Sequence, residues 1–152
     1  MKIAAIDYGL SCGLAIAKVT ITKDFCFLEK IHLETCLDDL PRIYNVLKAV
    51  GPHSVVLEAC PYRAAGHSLK LYEHAFAMLK NQLGYQNGKD ILVRNELVTI
   101  GPGLWKPFVK KQNLDYSKWN PKSVHEKDAM SLLWYVLKVQ TKKEQIEFRE
   151  RI

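Results

Sequence analysis

The order of apolar and polar positions along the chain predicts a mixed α/β sheet. Three apolar runs, MKIAAIDYG, GLAIAKVTIT and FCFLEKIHL, are separated by a glycine turn and by a Lys-Asp break, which predicts three antiparallel strands in a meander. The run SVVLEAC has the continuous apolar character of a buried parallel strand, and DILVRNELVTI is a further strand. We therefore expect a five-stranded sheet with three antiparallel strands followed by two parallel ones.

Apolar residues at helical spacing lie between and after these strands. A first helix is expected to end at Gly51-Pro52, a second to run over 68–83, a short third over 104–111, and a last one to start at Ser123. The stripes of the three longer helices are Leu40, Ile43, Leu47 and Val50, then Leu69, Tyr72, Phe76, Leu79 and Leu83, and finally Ala129, Leu132, Leu133, Val136 and Leu137. This α/β order places helices on both faces of the sheet, in one domain spanning 1–152.

Charge and cysteine content narrow the classes of protein. The 152 residues carry a formal net charge of +6 with a pI of about 9.1, which favours a polyanionic partner. The four cysteines are widely spaced without a CxxC pair, so we expect reduced thiols and no zinc site. Asp7 interrupts the apolar N-terminal stretch, so neither a signal peptide nor a membrane span is expected, and the protein is expected in the cytoplasm.

A basic and aromatic segment lies between Gly103 and Lys127. Its lysines are Lys106, Lys110, Lys111, Lys118, Lys122 and Lys127, interleaved with Trp105, Phe108, Tyr116 and Trp119. Lysines neutralise backbone phosphates and aromatic rings stack on bases, so the segment is a candidate nucleic-acid surface. The alternative is a solvated basic loop whose aromatic side chains anchor it to the core, and composition alone does not separate the two.

Two acidic residues stand at the ends of apolar strands. Asp7 closes the first strand and Glu58 closes the fourth, at the edge of the sheet where open α/β folds usually hold their ligands. If these strands are neighbours, the two carboxylates meet. Taken singly, Asp7 also suits the turn before Gly9, and Glu58 also suits an exposed strand end.

The last predicted helix opens with SVHEKDAMSLL, in which ionisable residues precede the apolar stripe. His125 and Asp128 are three positions apart and share one face of the helix, whereas Glu126 completes a capping box with Ser123. Taken singly, Asp128 also suits the positive end of a helix, and His125 also suits a first turn without any functional role.

Together the acidic residues indicate a metal site. If Asp128 joins Asp7 and Glu58, three carboxylates repel one another unless cations lie between them. Oxygen ligands of this kind favour Mg²⁺ or Mn²⁺.

Three segments resemble one family, in the same order along the chain. IAAIDYGLSCGLAIA resembles the opening strand-turn-strand of the RNase H-like superfamily, VVLEAC resembles its Glu-bearing strand, and HEKDAMSLLWYVL resembles the closing helix of RuvC-type Holliday junction resolvases. In its short length the chain resembles the compact resolvases of bacteriophages more than the longer bacterial enzymes, which implies a prokaryotic or phage-infected host cytoplasm. The resemblance implies an RNase H-like fold in which Asp7, Glu58 and Asp128 hold two Mg²⁺ ions, for which Mn²⁺ substitutes. It gives His125 a catalytic position that these enzymes fill with His or Asp.

The same resemblance implies a Mg-dependent endodeoxyribonuclease that resolves four-way junctions as a homodimer, by two-metal hydrolysis of phosphodiesters. Tyr62 stands nearest the position of the aromatic wedge of bacterial RuvC, and Arg63 beside it is a further candidate DNA contact. The lysines expected to bind phosphates are Lys106, Lys110, Lys111, Lys118 and Lys122. The apolar stripe over 68–83 is the candidate dimer contact, unless it belongs only to the core.

Two other functions stay open at this point. One is an RNase H-like nuclease of other branched DNA or of structured RNA, as in YqgF-type enzymes. The other is a nucleic-acid-binding module without catalytic activity.

Overall fold

The computed structural model describes residues 1–9, 11–37, 40–60 and 66–150. Within these ranges the strands are β1 (Lys2–Asp7), β2 (Ser11–Ile21), β3 (Phe25–Leu37), β4 (Ser54–Glu58), β5 (Gln86–Asn87), β6 (Glu96–Ile100) and β7 (Gln145–Arg149). The α-helices are α1 (Leu40–Val50), α2 (His67–Ala77), α3 (Pro102–Lys110) and α4 (Val124–Thr141). A π-helical turn, Met78–Gln82, continues α2, and a 3₁₀ turn, Ser117–Trp119, lies between α3 and α4.

These strands form one mixed sheet in the order β5-β6-β4-β1-β2-β3-β7. The meander of β1, β2 and β3 is antiparallel, while β4 runs parallel to β1 and β6 runs parallel to β4. The prediction of five strands is wrong in number, because the described residues form seven, with β5 and β7 as parallel strands at the two edges. With two residues, β5 is too short to show a period, whereas β7 alternates clearly between buried and exposed positions and was overlooked.

Helices cover both faces of the sheet, as predicted, and each face has its own apolar core. On one face, α3 and α4 pack over Ile3 and Ala5 of β1, and on the other, α1 and the π-helical turn after α2 pack over Ala4 and Ile6. Successive side chains of a strand point to opposite faces, so β1 is buried on both sides. No helix within the described residues combines the length and the apolar character needed to cross a bilayer.

The fifth predicted strand is shorter than expected. The sequence indicated a strand over 90–100, but β6 begins only at Glu96. Before it, the side chain of Asp90 accepts a hydrogen bond from the N–H of Leu92 at 2.9 Å, and Asn95 has a φ of 66°. Both features are typical of turns, so local turn chemistry overrides the apolar run.

The second predicted helix changes from α-helical to π-helical geometry before it ends. The segment is α-helical to Ala77 and continues as the π-helical turn. Leu79, a member of the proposed dimer stripe, is fully buried and belongs to the core. Tyr72 and Phe76 are half-buried, with ring centroids 6.1 Å apart, so these two aromatic residues of the stripe retain surface for a partner.

A β-bulge in the pairing of β2 with β3 reverses the face of the sheet to which the side chains in the C-terminal half of β3 point. The register shifts between Ile16 and Ala17, which inserts an extra residue into β3. Leu28, before the bulge, and Thr35, after it, therefore face α4, although an odd number of positions separates them. Without the bulge, the strict alternation of a strand would place Thr35 on the opposite face.

Candidate active site

The parallel pairing of β1 with β4 brings two acidic residues to one edge of the sheet. Ile6 lies directly opposite Leu57, so Asp7 and Glu58 follow on neighbouring strands at their carboxyl ends. The expected adjacency of these two strands is confirmed. On its other side, Glu58 is paired with Ile100 of β6, so the strand that ends in Glu58 is held between two neighbours.

Asp7 and Glu58 act on each other electrostatically. Asp7 is 9% exposed, and its carboxyl group is near enough to that of Glu58 for a hydrogen bond. Burial and then the charge of Asp7 raise the pKa of Glu58 to about 7, against the opposing effects of Lys106 and of a hydrogen bond from Trp105. Near neutral pH the pair therefore retains a proton for part of the time, unless a cation takes its place.

The N-terminal part of α4 carries the other two residues of the site, His125 in the first turn and Asp128 directly after it. His125 Nδ1 lies 3.5 Å from Asp7 Oδ2. Asp128 is half-buried, and burial followed by the charge of Asp7 raises its pKa. Asp7 thus acts on both Glu58 and Asp128, so β1, β4 and α4 each contribute an acidic side chain to the same edge of the sheet.

Glu126 anchors this first turn to the sheet. Ser123 Oγ accepts a hydrogen bond from the N–H of Glu126 at 3.1 Å, as the capping prediction requires. The Glu126 side chain, 5% exposed, accepts from the Thr35 hydroxyl at 2.5 Å and from the N–H of Lys122 at 3.0 Å. The return bond of the predicted capping box is therefore made to Lys122 and not to Ser123. Thr35 is a partner that sequence spacing did not reveal.

A close approach between backbones sets how near α4 comes to Asp7. Gly13 of β2 is the ladder partner of Asp7, and a Cβ at Gly13 would overlap the carbonyl group of His125. Because glycine has no Cβ, the first turn of α4 rests directly on β2. Sequence reasoning missed this role, although a glycine inside an apolar strand is the signal that indicates it.

The carboxylates suit a hard divalent cation in their chemistry. Asp7, Glu58 and Asp128 offer oxygen donors. Burial, followed by the charge of Asp7, raises the pKa values of Glu58 and Asp128, and a bound cation would favour the ionised forms of both. Among the described residues, no group of three or more His, Cys, Asp or Glu side chains is arranged to hold a metal ion as it stands. Carboxylate oxygens are ligands that fit Mg²⁺ or Mn²⁺. The metal site itself stays a prediction.

The five predicted phosphate-binding lysines, Lys106, Lys110, Lys111, Lys118 and Lys122, are all exposed. Lys106, in the middle of α3, is close enough for its charge to lower the pKa values of Glu58 and Asp128. It therefore belongs to the acidic edge as well as to the basic segment. Two further predicted DNA contacts, Tyr62 and Arg63, lie outside the described residues.

The two tryptophans of the basic segment are core residues. Trp105 is 2% exposed and Trp119 is fully buried, so neither presents a ring face to a base, and the anchoring alternative holds for both. Phe108 is 37% exposed and Tyr116 is half-buried. Trp105 has a polar contact as well, because its Nε1–H donates to Oε2 of Glu58 at 2.7 Å. Sequence reasoning missed this contact.

Solved structures share this architecture. RuvC from Thermus thermophilus superimposes with a TM-score of 0.65 at 16% sequence identity, covering 94% of this chain and 98% of that one. The chain has the RuvC fold. T. thermophilus RuvC in complex with a Holliday junction substrate matches with the same TM-score of 0.65 and 16% identity, over 93% of this chain and 96% of that one. The Fowlpox virus resolvase in complex with Holliday junction DNA gives a TM-score of 0.48 at 14% identity, over 93% and 79% of the two chains.

The resemblance to RuvC-type resolvases, indicated by three short segments, is confirmed as a resemblance of fold. No family model and no curated protein matches the sequence. In this RuvC fold, Asp7, Glu58 and Asp128 lie far apart in the chain and together at one edge of the sheet. The similarity of fold extends over nearly the whole chain.

Proposed function

We propose that the protein is an endonuclease that cuts four-way DNA junctions by metal-dependent hydrolysis of phosphodiester bonds. The observation that carries the proposal is the pair of carboxyl groups of Asp7 and Glu58, within hydrogen-bond reach of each other at the edge where α4 adds Asp128. Burying like charges together is unfavourable, so the arrangement is best explained by cations that the acids attract. The net charge of +6 supports a polyanionic substrate.

Asp7, Glu58 and Asp128 would hold the divalent cations, Mg²⁺ or Mn²⁺, and two ions per site are proposed. When bound, such ions lower the pKa of a water nucleophile and stabilise the departing 3′ oxygen. Asp7 acts on both of the other carboxylates, so its loss should damage the site most. Glu58, with a pKa of about 7, must release its proton to act as a ligand.

His125 is placed to hold or move a proton beside the acids. Its Nδ1 lies 3.5 Å from Asp7, and its side chain is 36% exposed, so the ring has access both to solvent and to the acidic edge. An imidazole in such a position orients a water or accepts its proton. The backbone of His125 packs against Gly13, so the position of the ring follows from packing of the helix on the sheet.

The basic segment would bind the DNA backbone. Lys110, Lys111, Lys118 and Lys122 are exposed on α3, on the 3₁₀ turn and on the chain around them, and such lysines add affinity for phosphates without reading the base sequence. We assign Lys106 to the phosphate nearest the acids, because its charge acts on Glu58 and on Asp128.

A four-way junction is the proposed substrate because of the fold. The chain shares the RuvC fold over nearly its whole length, and T. thermophilus RuvC has been seen in complex with a Holliday junction substrate. A junction offers two equivalent strands, which a twofold homodimer would match with two sites. Tyr72 and Phe76 of α2, half-buried at the surface, are the proposed dimer contact.

A cleavage assay with a labelled four-way junction, a flap and a structured RNA in Mg²⁺ tests this function. We expect the junction to be cut, and Asp7→Asn to reduce cutting by more than about 100-fold. Junction binding should persist in Asp7→Asn, since losing an acid removes repulsion from phosphate. Asp24→Asn is the matched control, because Asp24 is exposed in the turn between β2 and β3, and it should cut at the wild-type rate.

Two other outcomes would change the assignment. Preferred cutting of the flap or of the RNA would reassign the substrate to other branched DNA or to structured RNA. Junction binding by the wild-type protein without any metal-dependent cutting would contradict a nuclease and favour a binding module.

A further inference from the structure

The three tryptophans of the chain use their indole N–H groups differently. Trp119 Nε1 donates to the backbone oxygens of Leu28 and Arg149, each at 3.1 Å, and Trp134 Nε1 donates to the backbone oxygen of Ile146 at 3.0 Å. Trp105 Nε1 instead donates to a carboxylate oxygen, Glu58 Oε2, at the shorter distance of 2.7 Å. Backbone partners explain two of these bonds as structural, whereas the third ends on a proposed metal ligand.

The Trp105 ring cannot easily follow the carboxylate, because it is fixed from several sides. It is 2% exposed and packs in the core between the sheet and α4. Its helix, α3, starts at Pro102, directly after β6, whose last residue Ile100 is paired with Glu58. The acceptor therefore stands at the end of β4 and the donor on the helix that directly follows β6, the strand paired with β4. Close packing in the core restricts movement of the buried indole ring.

The uncharged donor suits a carboxylate that must remain attractive to a cation. Glutamate has several side-chain torsions, so a free Glu58 would sample many orientations in which its oxygens miss the site. A lysine or arginine at the place of Trp105 would fix the carboxylate but also neutralise it. An indole N–H holds one oxygen, Oε2, and leaves the negative charge in place, while the same carboxyl group stays within hydrogen-bond reach of Asp7.

We propose that Trp105 is a positioning residue, which holds Glu58 Oε2 so that the carboxylate stays turned toward Asp7 and the cations of the site. Partners of this kind orient metal ligands through one hydrogen bond and tune the affinity of the site. The hydrogen bond itself is a property of the fold. Its effect on cations rests on the proposed function.

Nuclear magnetic resonance of the indole N–H groups tests the hydrogen bond without any metal or DNA. The three tryptophans give three separate indole signals, and single Trp→Phe variants assign them. Glu58→Gln removes the charge of the acceptor, so it should shift the Trp105 signal strongly and leave those of Trp119 and Trp134 in place. A Trp105 signal that does not respond to Glu58→Gln would overturn the proposal, whether or not the protein cuts DNA.

Calorimetric titration with Mn²⁺ tests the effect on the site. Trp105→Phe keeps a buried aromatic ring and removes the donor, and should weaken Mn²⁺ binding by about 10- to 100-fold. Trp134→Phe is the matched control, because Trp134 is also buried, at 5% exposure against 2% for Trp105, but its N–H donates to a backbone oxygen. It should bind Mn²⁺ like the wild-type protein, even if both variants are less stable, provided that the titration is run below their unfolding temperatures.

The outcomes separate this proposal from the proposed function. If the wild-type protein binds Mn²⁺ and cuts junctions while Trp105→Phe matches it in Mn²⁺ affinity, positioning by Trp105 is refuted and the nuclease stands. If the wild-type protein binds no Mn²⁺, the nuclease is refuted and positioning for cations with it. If Trp105→Phe and Trp134→Phe lose Mn²⁺ affinity equally, the effect is a general one of core packing, and positioning by Trp105 is likewise refuted.

Discussion

The backbone carbonyl of His125, in the first turn of α4, lies directly against Gly13 in β2. Gly13 is also the ladder partner of Asp7, so this contact seats the helix that carries His125 and Asp128 on β2, beside the residue of β1 that carries the acid. A Cβ at Gly13 would overlap this carbonyl and lie 3.1 Å from the amide nitrogen of Glu126. The absence of a Cβ at Gly13 thereby sets the distance between α4, which carries Asp128, and the strands that hold Asp7.

Gly13→Ala is expected to push α4 away from the sheet. The new methyl group meets backbone and not a flexible side chain, so relief requires movement of the helix, at a cost of about 1–3 kcal/mol in the free energy of unfolding. Urea denaturation and the junction-cleavage assay should both show a loss. Gly103→Ala is the matched control, since a Cβ there meets nothing within 4 Å. Equal behaviour of the two variants would contradict this packing.

Thr35→Val is expected to loosen the first turn of α4. The variant preserves the shape of the side chain but removes the donor that Glu126 accepts at 2.5 Å. A lost hydrogen bond to a buried charge costs about 1.5–3 kcal/mol, measurable by urea denaturation. Thr20→Val, at an exposed position of β2, should change stability by less than about 0.5 kcal/mol. If the two valines cost the same, Thr35 does not anchor the helix.

Stability without metal should depend on the protonation of Glu58. Because its pKa rises from an ordinary 4.5 to about 7, the folded protein retains a proton in this range that the unfolded chain has released. Through this group, the free energy of unfolding therefore falls as the pH rises from about 4.5 to 7, and levels off above 7. Melting temperatures in a chelator should show that Glu58→Gln gains stability over the wild type more at pH 8 than at pH 5. A pH-independent difference would contradict the assigned shift.

Added Mg²⁺ should stabilise the protein more at high pH than at low pH, because the carboxylates bind a cation only after losing their protons. Saturating Mg²⁺ is expected to raise the melting temperature of the wild-type protein more at pH 8 than at pH 5. Glu58→Gln should show a smaller rise at pH 8, since it lacks one oxygen anion. The proposed ligand set fails if Mg²⁺ stabilises both proteins alike at both pH values.

Removal of Lys110 and Lys111 should weaken junction binding through salt-dependent contacts. Each lysine that neutralises a phosphate contributes about 0.9 to the slope of log affinity against log salt, so the double alanine variant should lower that slope by about 2. Fluorescence anisotropy in an Asp7→Asn background avoids cleavage during the measurement. Lys48→Ala on α1, whose core lies on the other face of the sheet, should leave the slope unchanged. Equal slopes in all three proteins would move the DNA surface elsewhere.

Regular elements were predictable where their signal is local. The apolar runs ending at Asp7 and Glu58 became β1 and β4, and the periodic stripe after Ser123 became α4, with the predicted cap in place. Period and capping depend on neighbours within a few positions, so they are readable in a single chain. The edge strand β5 has only two residues, too few to show a period, whereas the alternation of β7 is readable in the sequence QIEFR and was missed.

The supports of the candidate site could not be predicted in the same way. Trp105 and Glu58 are 47 positions apart in the chain, and Thr35 and Glu126 are 91 apart. A bulge is also required before Thr35 can face α4 at all. No local pattern links such residues, because these contacts follow from how strands and helices pack.

By itself, the sequence determined which side chains can carry the chemistry and at which element ends they stand, because apolar periodicity assigns each residue to a strand or a helix. Only the tertiary structure decided that β4 lies beside β1, that α4 rests on Gly13, and that Glu58 receives the indole N–H of Trp105. Strand order and close packing are properties of the whole core, in which each contact depends on all the others being made.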